Sequence, residues 1–340
     1  MNLYIYLTLL SIFVFFSIYN FRKKISLFFK VNDIPDQDRK IHQYPTPKTA
    51  SYPIFITLLI ILVMDKFLNI YEDNFKLIIF GTLLIFIIGY LDDRFNLSAI
   101  KKIFFSTLII IFLLNASQNF IITKFYIYSF DTFFNINYFS FIFTILCILC
   151  LINSLNLADG INGLATGLIF IWLIYLSEIY KYYISKEIFF LILIILINLI
   201  LVFLYNLKGN HFLGDSGSLM LSSFVAILTI YLHNQALNDP SHKSSAENIL
   251  LLFIIPVFDM VRLLFSRLIK SINPAKGDNN HLHHHLINNF SINKSLLIYF
   301  LLVNIPIILA LFTMINKMFI IGLTLIFYSL TIVYLKKNEK

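Results

Sequence analysis

The chain has 340 residues, 59% of them hydrophobic, and a mean hydropathy of +0.83, which exclude an ordinary soluble domain because such domains are about 45–50% apolar. The formal net charge of +8 could point to nucleic acid, but the Lys and Arg residues lie between apolar runs, where membrane orientation and anionic substrates explain them better. The two cysteines, Cys147 and Cys150, offer no disulfide framework, and their apolar surroundings argue against a redox or zinc pair.

Apolar runs of about 17–25 residues, the length that crosses a bilayer as a helix, recur along the chain. The sequence therefore predicts an all-α, polytopic membrane protein with a single domain, 1–340. The first run is expected to be a retained helix and not a signal peptide, because its positive residues follow it. The stretch 118–136 is expected to be an external loop at the interface. Eleven spans are predicted, near 3–20, 51–65, 77–91, 103–117, 137–153, 166–180, 187–204, 218–233, 248–266, 295–314 and 318–335.

The distribution of Lys and Arg predicts the orientation of these spans. With the N-terminus outside and the C-terminus in the cytoplasm, nineteen of the 26 Lys and Arg residues fall on the inner side. The same arrangement puts every unusual polar segment inside. Turns that only connect helices would not all lie on one side of the membrane. We therefore expect these segments to form one cytoplasmic site. Its loops lie near 21–50, 92–102, 154–165, 205–217 and 267–294.

Two adjacent acids, Asp92 and Asp93, end the third predicted span, and Lys102 begins the next one. Like charges side by side repel unless a cation or a substrate proton lies nearby, which favours a functional pair over a helix end. Lys102 fits an anionic ligand, although simple anchoring at the inner face also explains it.

The segment "NSLNLADGINGLATG" places amides and a carboxylate between two apolar runs. Asn153, Asn156, Asp159 and Asn162 are spaced by three, which would align them on one face of a helix. Such a row is either a polar seam between helices or a ligand face, and we favour the ligand face.

Two further motifs lie later in the chain. Asp215, in "FLGDSGSLMLS", could cap a new helix or hold a cation that bridges to a phosphate. Four His residues lie within 281–285, where zinc or an anion could bind. Anion binding is favoured, because Lys276 and Arg267 are close in sequence and no Cys or Glu has zinc-ligand spacing.

Taken together, these motifs resemble the polyprenyl-phosphate N-acetylhexosamine-1-phosphate transferases, glycosyltransferase family 4. These integral membrane enzymes move a sugar-1-phosphate from a UDP-sugar to a lipid phosphate. The match runs from about Asp33 to Leu286, and the eleven-span layout resembles the bacterial undecaprenyl-phosphate N-acetylglucosamine-1-phosphate branch. The motifs that carry it, in family order, are "DIPDQDRKIHQYPTPK", "LDDRFNLSAIKK", "NSLNLADGINGLA", "FLGDSGSLMLS", "PVFDMVRLLFSRL" and "GDNNHLHHHL".

The resemblance implies a role for each matching residue. Asp92, Asp93 and Lys102 match catalytic positions. Asn156 and Asp215 match Mg²⁺ ligands, and Mn²⁺ is the expected substitute. The positions that match contacts to the donor sugar nucleotide are Asp159, Asn162, Arg267, His281, His283 and His284.

The resemblance also implies the reaction. An N-acetylhexosamine-1-phosphate would pass from UDP-GlcNAc or a related sugar to undecaprenyl phosphate, with release of UMP. This would be the first membrane step of a cell-surface polysaccharide, such as the lipopolysaccharide O-antigen, at the bacterial inner membrane. One-step transfer and a route through an aspartyl intermediate both stay open. The expected partners are the two substrates and the bilayer, not nucleic acid, and a homodimer is left open. Lys48 stands where many members carry Arg, and Asn162 where bacterial members usually carry Asp.

Two other functions are compatible with parts of the sequence. The sister enzyme of peptidoglycan synthesis uses UDP-MurNAc-pentapeptide, but "HLHHHL" and the extra span fit that branch less well. A secondary transporter would place its acids in mid-span along a path, whereas here they cluster at one surface.

Overall fold

The structure is a computed structural model that describes residues 2–34, 44–68, 71–239, 244–273 and 279–338. Helices dominate these ranges. The twelve α-helices are α1 Asn2–Phe29, α2 Tyr52–Leu68, α3 Asp73–Phe95, α4 Ala99–Ala116, α5 Ser140–Ala158, α6 Leu164–Ile179, α7 Lys186–Leu207, α8 Gly214–Leu237, α9 Ala246–Ile269, α10 Leu282–Asn289, α11 Ile292–Phe312 and α12 Lys317–Asn338. The four short strands are β1 Asn32–Asp33, β2 Thr46–Pro47, β3 Lys124–Ile127 and β4 Thr132–Asn135.

The prediction of a polytopic membrane protein is confirmed. Nine helices in the described part of the chain are long and apolar enough to cross a membrane. Each of the eleven predicted spans falls on a helix, although α2 and α6 have only 17 and 16 residues. The number of crossings and their orientation stay predictions. The first helix runs to Phe29, well beyond the predicted end near residue 20.

The stretch 118–136 is not a plain loop. Strands β3 and β4 form an antiparallel hairpin in which Phe125 pairs with Phe134 and Tyr126 with Phe133. The rings of Phe125 and Phe134 stack with centroids 5.1 Å apart. Aromatic residues favour strands through such cross-strand pairs, a signal that membrane-scale hydropathy does not register. The fold is therefore nearly, but not wholly, α-helical.

Helix α8 lies at the centre of the bundle, and an apolar stretch of 18 of its residues is entirely buried. Small residues allow this. The α3 backbone at Gly89 lies so close to Asp215 and Ser216 that a Cβ there would overlap them. Serine hydroxyls such as that of Ser222 bond to carbonyls of their own helix. Small residues let helices approach closely within a membrane, and here they bring the end of α3 against the start of α8.

The segment before α2 is tied to the segment before α8. Strands β1 and β2 pair Asn32 with Pro47. The N–H of Phe212 donates to the carbonyl of Pro47 at 2.9 Å, and the N–H of Ala50 donates to the carbonyl of Phe212 at 3.1 Å. These bonds hold the intervening residue, Lys48, next to the start of α8.

Candidate active site

The first predicted acid faces the predicted lysine. Asp92, 5% exposed, lies near the end of α3. The chain then turns sharply through Asn96, which has a left-handed φ of 51°, and Ser98 caps α4 by accepting from the N–H of Lys101. Lys102 consequently lies back over α3, with Nζ 2.8 Å from Oδ2 of Asp92 and 3.5 Å from Oδ1 of Asp215.

The second acid, Asp93, binds the backbone at the start of α8. The carboxylate of Asp93 accepts the backbone N–H groups of Asp215 at 3.0 Å and Ser216 at 2.9 Å. It thereby caps the first turn of α8 from another helix, where the helix dipole favours negative charge. The helix-cap alternative considered for Asp215 therefore applies to Asp93, because Asp215 lies inside the first turn and makes no cap of its own.

A further lysine, absent from the predicted site, completes this group. Nζ of Lys48 lies 3.4 Å from Oδ1 of Asp93 and 3.5 Å from Oδ1 of Asp33. Burial lowers the pKa of Lys48, but Asp93 and Asp33 outweigh it, so the pKa is raised overall and the ammonium group stays charged. Its sequence signal was weak, a positive charge ahead of an apolar run. We call Asp92, Asp93, Asp215, Lys48 and Lys102 the acid–lysine cluster.

The two predicted metal ligands are adjacent. Nδ2 of Asn156, near the end of α5, lies 2.6 Å from Oδ1 of Asp215 and 2.9 Å from Oγ of Ser218. The Asp215 side chain is 27% exposed, so one side of the carboxylate stays accessible. Rotating the Asn156 amide by half a turn would direct its oxygen to the same place.

Asn156 and Asp215 fit a Mg²⁺ site at which the protein supplies only a few of the ligands. Within the described residues, no group of three or more His, Cys, Asp or Glu side chains is arranged to hold a metal. A carboxylate and an amide are hard oxygen ligands, and Mg²⁺ commonly takes one or two such ligands while keeping waters and substrate phosphates. Three carboxylates of the acid–lysine cluster face two ammonium groups, a surplus of negative charge that favours a cation.

The prediction that Asp159 and Asn162 share one helix face with Asn156 is wrong. Helix α5 ends at Ala158, and Gly163 adopts a left-handed φ of 89° before α6 begins. Asp159 and Asn162 therefore lie in a turn. Burial, then Asp215 and Asp93, raise the pKa of Asp159 well above its ordinary value. The Asn162 amide lies over Gly209, in the segment that leads to α8.

The predicted histidines come together around α10. The rings of His281 and His283 stack at 5.4 Å, and those of His283 and His284 lie 4.1 Å apart. His283 is 1% exposed, and its Nε2 has no hydrogen-bond partner among the described residues and lies against Gly160. Burial, then His284 and His281, lower the pKa of His283 well below its ordinary value. These surroundings disfavour the protonated form of His283.

The remaining predicted contact, Arg267, is buried in the last turn of α9. Lys276, the other cation expected near the histidines, lies outside the described residues. Sequence reasoning gave no role to Asp259 and Arg262, although both lie in the motif "PVFDMVRLLFSRL" as a charged pair three residues apart in an apolar helix. It also missed Tyr328 of α12, which carries no signal of its own.

Comparison with known proteins relates this chain to a family of glycosyl transferases. Residues 75–233, from α3 into α8, match the model of glycosyl transferase family 4. Over these residues the chain is similar to this family. The match includes the acids, the amide segment and Asp215, but ends before the histidines of α10.

Similar proteins of known name are undecaprenyl-phosphate N-acetylglucosaminyl 1-phosphate transferases. A probable undecaprenyl-phosphate N-acetylglucosaminyl 1-phosphate transferase of Bacillus subtilis (strain 168) is 25% identical over 268 residues, 78% of this chain and 72% of the relative. An undecaprenyl-phosphate alpha-N-acetylglucosaminyl 1-phosphate transferase of Yersinia pestis is 25% identical over 287 residues, which cover 81% of this chain and 75% of the relative. The enzyme of that name from Escherichia coli (strain K12) is 25% identical over 288 residues, covering 81% and 74%.

Proposed function

We propose that this protein is a member of glycosyl transferase family 4, that it transfers an N-acetylhexosamine-1-phosphate from a UDP-sugar, with UDP-GlcNAc first among the candidates, to undecaprenyl phosphate, and that UMP leaves. The names of its relatives support a transferase of sugar phosphates onto a polyprenyl phosphate. The acid–lysine cluster carries the proposal together with Asn156 beside it, because the predicted acids, lysine and oxygen ligands meet there from α3, α4, α5 and α8.

The acid–lysine cluster and Asn156 would share the tasks of phosphoryl transfer. Asn156 and Asp215 would hold Mg²⁺, which when bound neutralises charge on the phosphates and orients the leaving group. Lys102, between Asp92 and Asp215, offers ammonium donors to a phosphate oxygen that enters there. Asp93 keeps the first turn of α8 in place and so fixes the position of Asp215.

The acceptor needs little activation. A phosphate monoester has a second pKa of about 6, so much of it is dianionic at pH 7 and can attack the β-phosphorus of the UDP-sugar directly. Asp92 then contributes mainly by holding Lys102 at 2.8 Å and orienting it toward the phosphates. The route through an aspartyl intermediate stays open as the alternative.

The lipid part of the acceptor needs an apolar surface. A cavity of about 580 Å³ lies between α5, α8, α9 and the hairpin, and its lining includes Phe125, Leu146, Phe253 and Val257. Leu151, also in the lining, is five residues before Asn156 on α5, a rise of about 8 Å. This cavity supports an isoprenoid substrate, because a chain whose phosphate lies at Asn156 could extend into it.

We further propose that the site faces the cytoplasm of a bacterial inner membrane, on the bias of Lys and Arg. In a variant without Cys147 and Cys150, a cysteine at the exposed Lys101 should react only with a reagent on the cytoplasmic side. A cysteine at the fully exposed Tyr138 should react only from outside. The reverse pattern of labelling would overturn the orientation.

The reaction is tested with purified protein, undecaprenyl phosphate, Mg²⁺ and a panel of UDP-N-acetyl sugars, with UMP release as the measurement. UDP-MurNAc-pentapeptide belongs in the panel, because its use would assign the chain to the peptidoglycan reaction instead. Release of UMP that requires the lipid phosphate supports transfer. No UMP from any donor, by protein that is folded and binds UDP, would refute the proposed reaction.

A further inference from the structure

A second polar cluster centres on Asp259 of α9 and has no part in the function proposed above. Asp259 is 4% exposed in a largely apolar helix. Its carboxylate accepts from Nδ1 of His281 at 2.9 Å, from Nη2 of Arg262 at 2.9 Å and from the hydroxyl of Tyr328. The backbone N–H of Leu282 donates to it at 3.2 Å. We call Asp259, Arg262, His281 and Tyr328 the Asp259 cluster.

Stability alone is a weak explanation for this arrangement. Withdrawing a carboxylate and a guanidinium group from water is costly, and a well-packed apolar set of the same volume is often as stable or more stable. The donors to Asp259 come from α9, from the start of α10 and from α12. One of them, His281, belongs to the predicted substrate loop, which points to placement of that residue as the purpose.

The bond to Asp259 determines how His281 can act. An ionised carboxylate has no proton to donate, so the hydrogen must sit on Nδ1 of His281, which fixes the ring plane. Nε2 is then the nitrogen that remains for a ligand. The His281 ring stacks on His283, whose own Nε2 lies against Gly160, the neighbour of Asp159. His281 is thus held where α10 contacts the turn between α5 and α6.

Tyr328 connects the last helix to this site. Its hydroxyl donates to Asp259 and accepts from Nε of Arg262 at 2.9 Å. Its ring packs edge-on against Phe258 with centroids 5.2 Å apart. A Phe at this position would keep the ring contact and remove only the hydroxyl, which separates packing from positioning.

We propose that Asp259 and Tyr328 are positioning residues that present Nε2 of His281 to the phosphates of the sugar nucleotide, so that α12 is part of the active site. The inference rests on the proposed function, since it assigns the nucleotide phosphates as the ligand of His281. Asp259 and Tyr328 touch no substrate and act through the imidazole.

A double-mutant cycle tests this inference. Asp259→Asn should lower kcat about 10²-fold, the scale of a misplaced group in a pre-organised site. Tyr328→Phe should lower kcat about tenfold, the loss of one hydrogen bond to a charged group. In a His281→Ala background both changes should have almost no further effect, because residues that act as one unit are not additive. Tyr334→Phe, on the exposed side of α12, is the matched control and should leave kcat unchanged.

The thermal shift that UDP produces is a second readout, independent of turnover. If UMP is released but the effects of Asp259→Asn and His281→Ala multiply, the inference fails and the proposed function stands. If no UMP is released but Tyr328→Phe and His281→Ala weaken the UDP shift without adding, the function fails and the positioning stands. If UDP causes no shift in the parent protein either, both fail. Should Asp259→Asn not fold, the cycle between Tyr328→Phe and His281→Ala decides.

Discussion

The acid–lysine cluster and the Asp259 cluster are both built on carboxylates, yet they differ in how completely those carboxylates are paired. Asp259 receives three side-chain donors and a backbone N–H and is almost inaccessible. Asp215 keeps more than a quarter of its side chain exposed and has its nearest ammonium group at 3.5 Å. A paired carboxylate can hold another residue in place, whereas an underpaired one retains capacity for a ligand. This difference separates a supporting cluster from a reacting one.

The strongest test of the contrast removes the underpaired carboxylate. Asp215→Ala should lower UMP release by about 10³-fold or more, because a charge-stabilising group in the site is lost. Thermal stability should change little, since Asp93 bonds to the backbone of residue 215 and not to its side chain. If more than a few per cent of activity survives a Mg²⁺ titration, Asp215 is not a metal ligand.

A second test separates the two adjacent acids. Asp92→Asn should lower activity about 10²-fold with little change in melting temperature, because Lys102 loses its closest charge partner. Asp93→Ala should in addition lower the free energy of unfolding by about 1–2 kcal/mol, because no side-chain acceptor then remains for the N–H groups of Asp215 and Ser216. Equal thermal stability in the two variants would show that Asp93 is not a structural cap.

The contact between the His loop and the amide turn gives a third test. A Cβ at Gly160 would overlap Nε2 of His283, so Gly160→Ala should push α10 away and lower activity about tenfold. Gly322→Ala in α12 is the control, because its Cβ would meet nothing within 4 Å. Full activity in Gly160→Ala would mean that the two segments need not touch during turnover.

A fourth test uses pH and the segment that supports the acid–lysine cluster. His211 is buried, bonds through Nε2 to Thr49 at 2.8 Å, and has its pKa lowered to about 3 by burial and by Arg22. The neutral ring is therefore favoured in the folded protein. Its contribution to stability is complete above the ordinary His pKa of about 6.5 and declines as the pH falls toward about 3, by about 1.4 kcal/mol per pH unit.

Melting temperatures of the parent and of His211→Gln between pH 7.5 and 4.5 measure this contribution. The parent should lose more thermal stability on acidification than the variant does. Parallel curves would mean that His211 does not titrate in this range.

The smallest expected effect concerns Asn162, which the resemblance places among the contacts to the sugar nucleotide and which we propose binds its uracil. An Asn amide can pair with both the N–H and a carbonyl of uracil, whereas an Asp accepts only from the N–H but more strongly. Asn162→Asp should therefore raise KM for the UDP-sugar by about threefold. Asn162→Leu should raise it further, because a buried polar edge left unpaired costs about 1–3 kcal/mol. An unchanged KM in Asn162→Leu, with lower thermal stability, would make Asn162 a structural residue only.

Hydropathy alone located every long helix, since a bilayer-spanning helix must be apolar over its length, whatever its neighbours. The adjacency of Lys102 and Asp92 could also be anticipated, because only a short turn separates their helices. The cap that Asp93 provides to α8, the Lys48 pair and the Tyr328 bond to Asp259 could not. Each joins segments far apart in sequence, so each depends on how helices pack. The β3–β4 hairpin escaped prediction because its signal is a pairing of aromatic side chains and not their mean hydropathy.

The cap on α8 also has a consequence for biosynthesis. Asp92 meets Lys102 after ten more residues, within about 2 s at 5–20 residues per second. The backbone N–H of Asp215 that Asp93 binds is made 122 residues later, and synthesis of those residues takes about 6–24 s at the same rate. For that interval the ribosome-bound chain holds an acid at the end of α3 without the N–H groups it will later bind. The central helix of the bundle is thus made after seven others, and it supplies the N–H groups that complete the hydrogen bonding of Asp93.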